Sequence, residues 1–143
     1  MATKYEHVVM LIQKALTREI EVHPTLVDCS VETLLTICNG CGPAGAKLDL
    51  IPDTIEGLTI KLECHTHDYD YAKGTTEADR VFADKRLKRN LFKRVRGAKG
   101  FVNRLLVPTR SIRVLIIYRA VRLGGEKPFW ANKENNVVTL GTY

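Results

Sequence analysis

No stretch of this sequence is apolar for long enough to span a bilayer. The longest clearly apolar run, VLIIY at 114–118, falls far short of the ~20 residues a membrane helix needs. The N-terminus, MATKYEHVVMLIQKAL, has no basic start, no long apolar segment and no small-residue cleavage site, so it is not read as a signal peptide. The chain is therefore expected to be made in a cytoplasm. There its four cysteines stay thiols unless it meets an oxidising setting or binds a metal. Internal repeats, low-complexity tracts and a convincing domain boundary are absent, which leaves a single domain over 1–143. That length can bury a core unaided, and an apolar content of 45% argues against wholesale disorder.

Acidic residues are scarce in the second half. Residues 80–143 carry 16 Lys or Arg against 3 Asp or Glu, whereas residues 1–79 carry 6 against 13. An acidic half suits a cation site, and a basic half suits an anionic partner, either phospholipid head groups or nucleic acid.

What is present reads as helix. Tyr5, Val8, Leu11, Ile12, Ala15 and Leu16 recur at helical intervals, predicting an amphipathic helix over about 4–20, interrupted at His23-Pro24. SVETLLTIC reads as a short second helix capped by Ser30, ended by the glycine-rich CNGCGPAG; AKLDLIPDT continues as loop or extended chain. A third helix is expected from near Leu58 to Lys73-Gly74. A fourth, capped by Thr75 or Thr76, carries Glu77 and Asp79 in its first turn and basic residues toward Gly97. Only Gly74 to Thr76 separate these two, so they should pair antiparallel. A last helix, from near Pro108 to Leu123, aligns Ile112, Ile116, Ala120 and Leu123 on one stripe, and Gly124-Gly125 stops it. The tail is expected to be extended with one short strand. The fold class is mostly α.

The cysteines admit two chemistries. Cys38 and Cys41 are separated by two residues, as are Cys64 and His67, with 22 residues between the pairs, which is a spacing for structural Zn²⁺. A zinc module of this kind would be a nucleic-acid-binding protein, laying KRLKRNLFKRVR on phosphates. The other chemistry is a Ca²⁺ site beside a catalytic pair. A glycine-rich loop can turn carbonyl oxygens inward, and Asp68 can add the carboxylate that a hard cation wants. Asp79 could accept a hydrogen bond from His67 and fix its tautomer, with Tyr71, one turn after His67, bracing Asp79. His65 lies about 200° round the helix from His67 and is read as a surface residue. Phe129 and Trp130 are read as aromatics covering the core.

CGPAG, then C-x-x-HD-x-x-Y, then ADR resembles the active-site pattern of the phospholipase A2 family. The longer string that includes IPDTIEGL, CHTHDYDYAKG and YRAVRLGGEKPFW resembles phage and prophage proteins carrying that motif. The resemblance covers roughly residues 35–130. It implies a small phospholipase A2-like domain: an antiparallel pair of catalytic helices plus N- and C-terminal helices. It implies a calcium-dependent hydrolase of the sn-2 ester of glycerophospholipids, with His67 as base, Asp79 and Tyr71 behind it, and a basic second half resting on membrane. The carbonyls of Gly40, Gly42 and Ala44 would join Asp68 around Ca²⁺, the Gly42 N–H would face the oxyanion, and Cys41 would form a disulfide with Cys64. It further implies a protein carried in a virion or released on lysis. Secreted members of the family have cysteines where this chain has Glu63 and Asp70, and its inter-helix connection leaves no room for their β-wing. A virion or assembly protein that keeps the fold without turnover is the remaining alternative.

Overall fold

The computed structural model describes residues 2–38, 51–131 and 133. Helix α1, Lys4–Leu16, starts where Thr3 accepts the Glu6 N–H and Glu6 returns a bond to the Thr3 backbone, a reciprocal cap that satisfies two otherwise orphaned donors. It stops four residues short of the predicted end. A single 3-10 turn, Leu26–Asp28, then leads to α2, Val31–Ile37, capped by Ser30 as expected. A short hairpin follows, β1 Thr54–Ile55 and β2 Leu58–Thr59, pairing Thr54 with Thr59 and Ile55 with Leu58. Its two-residue turn holds Glu56 and Gly57 at φ 46° and 80°, the left-handed pair that matches the twist of such a hairpin. The third helix therefore begins at Lys61 rather than near Leu58.

Helix α3, Lys61–Lys73, and helix α4, Glu77–Gly97, are joined by the short turn and pack side by side. Contacts run in opposite directions along them: Tyr71 meets Asp84, Asp70 meets Arg86, and Arg94 reaches back to the carbonyl of Thr59 just before α3. That is an antiparallel pair. Two acids of α3 are buried against arginines of α4, Asp70 on Arg86 at 2.5 Å and Glu63 near Arg94 at 3.9 Å. Burial pushes the Asp70 carboxyl up to about 6, against the pull of Arg86.

A one-turn helix α5, Phe101–Leu105, precedes α6, Val107–Gly124, which packs along α4. The predicted stripe of α6 is not its core face. Val114, Ile117 and Val121 are buried with Leu87, Leu91 and Val95, while Ile112, Ile116 and Leu123 point to solvent. The tail departs from expectation too, since Glu126–Trp130 forms a further helix, α7, that buries Phe129 and half-buries Trp130.

Two apolar clusters result. One joins the hairpin, α3, α4 and α6; the other joins α1, α2 and the far side of α3 through Tyr69. Asn90 of α4 ties them, accepting from the Glu21 N–H and donating to the Glu21 carbonyl, both at 2.8 Å. The chain is thus a mostly α small domain. No described helix is long and apolar enough to cross a membrane.

Candidate functional site

The stripe of α4 that faces α3 runs through Ala83, Leu87, Leu91 and Val95, and Asp84 sits on it, three residues before Leu87. A carboxylate on a core stripe must find donors or be expelled. Asp84 is fully buried and has them. Its Oδ1 accepts from His67 Nε2 at 2.8 Å and from the Tyr71 hydroxyl at 2.7 Å. Its Oδ2 accepts from Arg122 Nη1 at 2.6 Å, with Arg80 Nη1 3.8 Å away. Burial alone would push the Asp84 carboxyl up. The hydrogen bond and charge of His67, with Tyr71 and Arg122, outweigh that and hold it below the usual carboxylate range.

An ionised Asp84 can only accept, so Nε2 of His67 is the donor, and Nδ1 is the nitrogen left to act as the base. His67 itself is buried to 6% exposure. The Tyr71 ring, one turn on, lies 4.2 Å from the His67 ring between centroids and packs edge-on against Phe129 of α7. Burial, with the Asp84 charge, pushes the Tyr71 hydroxyl well up, so it stays a donor. Gly125 makes this packing possible: a Cβ there would collide with the Tyr71 hydroxyl and the Val121 carbonyl. A second glycine, Gly74, likewise clears space for Phe129, whose ring a Cβ would meet at 2.7 Å. Lys133 closes the far side, donating to the Tyr71 carbonyl and lying over the Phe129 ring.

Asp79 is not the partner of His67. Its Oδ2 accepts from the Thr75 and Thr76 N–H groups at 2.9 and 3.0 Å, and it stands exposed as the acidic member of the α4 capping box. Those N–H groups hold its carboxyl below the ordinary value. The sequence contains Ala-Asp twice, at 78–79 and 83–84, and the second is the one that reaches the site. Counting out from the turn would have found it: His67 lies eight residues before Thr75 and Asp84 eight after Thr76, which makes them neighbours across an antiparallel pair. Arg122 and Gly125 carried no comparable signal, because only the tertiary packing of α6 brings them to Asp84 and Tyr71.

His65 is corrected as well. It is 3% exposed rather than on the surface, both its ring nitrogens lack a hydrogen-bond partner among the described residues, and burial pushes its pKa down to about 4. α3 is flanked by α1 on one side and α4 on the other, so both of its histidine faces are covered.

The expected disulfide would join Cys64 to Cys41, which lies outside the described residues. Among the described residues no two cysteines are bonded to each other, and Cys29 and Cys38 are free thiols. Cys38 is buried with its Sγ 3.5 Å from the His65 carbonyl, and burial, then the Asp68 carboxylate, pushes its thiol up to about 12. A thiol held protonated in this way is a poor nucleophile for exchange. Gly40, Cys41, Gly42 and Ala44 lie outside the described residues, and with them the loop carbonyls, the oxyanion N–H and the Cys41–Cys64 pairing. Asp68 is half-buried on α3. Among the described residues no cluster of three or more His, Cys, Asp or Glu side chains is placed to hold a metal.

No family model, curated protein or solved structure matches the chain.

Proposed function

We propose that this chain is a calcium-dependent hydrolase of the sn-2 ester of glycerophospholipids, of the phage or prophage type whose motif it resembles. The observation that carries this reading is the buried His67–Asp84–Tyr71 set, a base, its orienting carboxylate and a hydroxyl bracing that carboxylate. Such an arrangement is what general-base attack by water on an ester requires.

The His67 Nδ1 lone pair takes a proton from water as the water oxygen bonds to the ester carbonyl carbon. Asp84 stabilises the imidazolium that forms, and Arg122 keeps Asp84 ionised while it does so. On collapse of the tetrahedral adduct, His67 returns the proton to the departing alkoxide oxygen, giving a lysophospholipid and a fatty acid. No serine or cysteine nucleophile takes part.

The donor set fits a hard cation, because Asp68 follows His67 directly and its charge is felt by Cys38, the residue at which the glycine-rich segment begins. Asp68 with the carbonyls of Gly40, Gly42 and Ala44 would hold Ca²⁺, which would supply Lewis acidity at the ester carbonyl and counter-charge for the phosphate. The Gly42 N–H would add a fixed dipole toward the developing oxyanion. A Zn²⁺ module on Cys38, Cys41, Cys64 and His67 is the other reading, but it gives no role to the Tyr71 and Arg122 donors gathered on Asp84.

The test is phospholipid hydrolysis by the full chain, with calcium added and then chelated. Release of fatty acid from the sn-2 position only with calcium, lost by about 10²-fold or more in His67→Gln, is the expected result. A wild-type chain that hydrolyses nothing with calcium would leave a non-enzymatic virion or assembly protein as the better description.

A further inference from the structure

Helix α6 is apolar on two opposite faces. Val114, Ile117 and Val121 fill the core, and Ile112, Ile116 and Leu123, half a turn round, are 59%, 53% and 83% exposed. Phe101 and Leu105 of α5 are exposed as well, and with them the spacing along the chain is four, seven, four and seven residues, a helical stripe. Only Leu106 separates α5 from α6; its N–H bonds to the Val102 carbonyl and its own carbonyl accepts from Arg110, so the helical path runs on through the junction. The core needs one face of this segment. The other has no partner among the described residues.

Charge selects the partner. Between Asp84 and Glu126 there are thirteen Lys or Arg and no Asp or Glu. Arg104, Arg113 and Arg119 are exposed along the same two helices, and Lys99 just before them. A second copy docked through this face would set those cations against their own mates, because the carboxylate beside them, Glu56, is already engaged by Arg113 and Thr109, and that is repulsive. A nucleic acid would use the cations but leave the aliphatic stripe wet. An anionic bilayer uses both, taking apolar side chains ~5–10 Å into the head-group boundary while basic residues meet the phosphates.

We infer that the outward face of α5–α6 is a membrane-docking surface for anionic phospholipid. This deepens the proposed function by naming the surface on which the enzyme would meet its substrate. Its link to turnover rests on that reading, whereas the docking itself does not. A cavity of about 260 Å³ between the hairpin and α6, with Ile55, Glu56, Arg113, Ile116 and Ile117 in its lining, adjoins the stripe at Ile116.

The experiment uses the full chain carrying His67→Gln, with calcium chelated so that neither turnover nor a metal bridge contributes. It measures flotation with vesicles of phosphatidylcholine, with and without phosphatidylglycerol. Binding only to the phosphatidylglycerol vesicles is expected. Phe101→Ser, Ile112→Ser and Ile116→Ser together should weaken it about tenfold or more at unchanged helicity. Arg104→Glu with Arg119→Glu should weaken it further as salt rises less steeply in effect. Unchanged vesicle binding by the serine variant overturns the inference. So does a concentration-dependent dimer that the serine variant dissolves while vesicle binding persists. In the otherwise wild-type chain with calcium, the serine variant should lose hydrolysis of vesicles but keep that of dispersed short-chain lipid. Flotation without any hydrolysis would sink the phospholipase reading and leave the docking surface standing.

Discussion

Asp84 accepts three short hydrogen bonds from two different helices, and its replacement is correspondingly informative. An Asn there must present one oxygen and one NH₂. If the NH₂ faces Arg122, two donors confront each other. If it faces His67, the imidazole must accept at Nε2, the proton moves to Nδ1, and the base is lost. Asp84→Asn is therefore expected to lower hydrolysis by about 10–100-fold or more. Asp79→Ala should remove only the cap of α4, costing about 1 kcal/mol in a denaturant melt with turnover unchanged. If the two variants behaved alike, Asp84 would not be the orienting carboxylate. The resemblance names an Ala-Asp pair and the chain offers two; burial decides between them.

Helix ends and helix faces set the rest of the site. α3 contributes His67 and Tyr71 one turn apart on the face turned to α4, and the end of α6 supplies Arg122. Gly125 lets α6 finish directly over the Tyr71 hydroxyl. Its backbone lies at φ −82°, where alanine is unstrained, so the glycine is there for space and not for conformation. Gly125→Ala should push Tyr71 off Asp84, lower hydrolysis several-fold, and cost about 1–3 kcal/mol for the donor and acceptor left unpaired. Gly97→Ala is the control. A Cβ there meets nothing, and the change should be neutral or stabilise by about 0.4–1 kcal/mol. Equal losses from both variants would mean that the Tyr71 contact is dispensable.

The two apolar clusters share α3, and His65 lies at that shared seam, with the His7 ring 6.2 Å away between centroids. The buried imidazole is disfavoured as a cation in the folded state, with its pKa lowered from 6.5 to about 4. Between those values the unfolded chain binds more protons than the folded one, so stability rises with pH through the window and is lost as pH falls from about 6.5 toward 4. Acidification should cost up to roughly 1.4 kcal/mol per pH unit there. His65→Leu, which gives up no hydrogen bond, should flatten that dependence in urea melts at pH 7 and pH 5. An unchanged slope would assign the acid sensitivity to other groups. Asn90 extends the coupling, since its clamp on Glu21 makes the N-terminal cluster depend on α4.

Local rules were enough for much of this. The caps at Ser30 and Thr76, the short turn at Gly74–Thr76 and the apolar periodicity of α1 were legible because each depends on residues within a few positions of one another. His67 and Tyr71 were legible for the same reason, being one helical turn apart. Three things were not. Asp84 was hidden behind an equivalent Ala-Asp pair, because a carboxylate's partner depends on the register of two packed helices. The core side of α6 was not legible, because a helix apolar on two faces does not say which of them the core will take. His65 was assigned to solvent, because period alone shows that it lies opposite His67 and not that α1 covers it there. Periodicity measures angles around one helix; only the packing of a second helix against it decides which of those angles are dry.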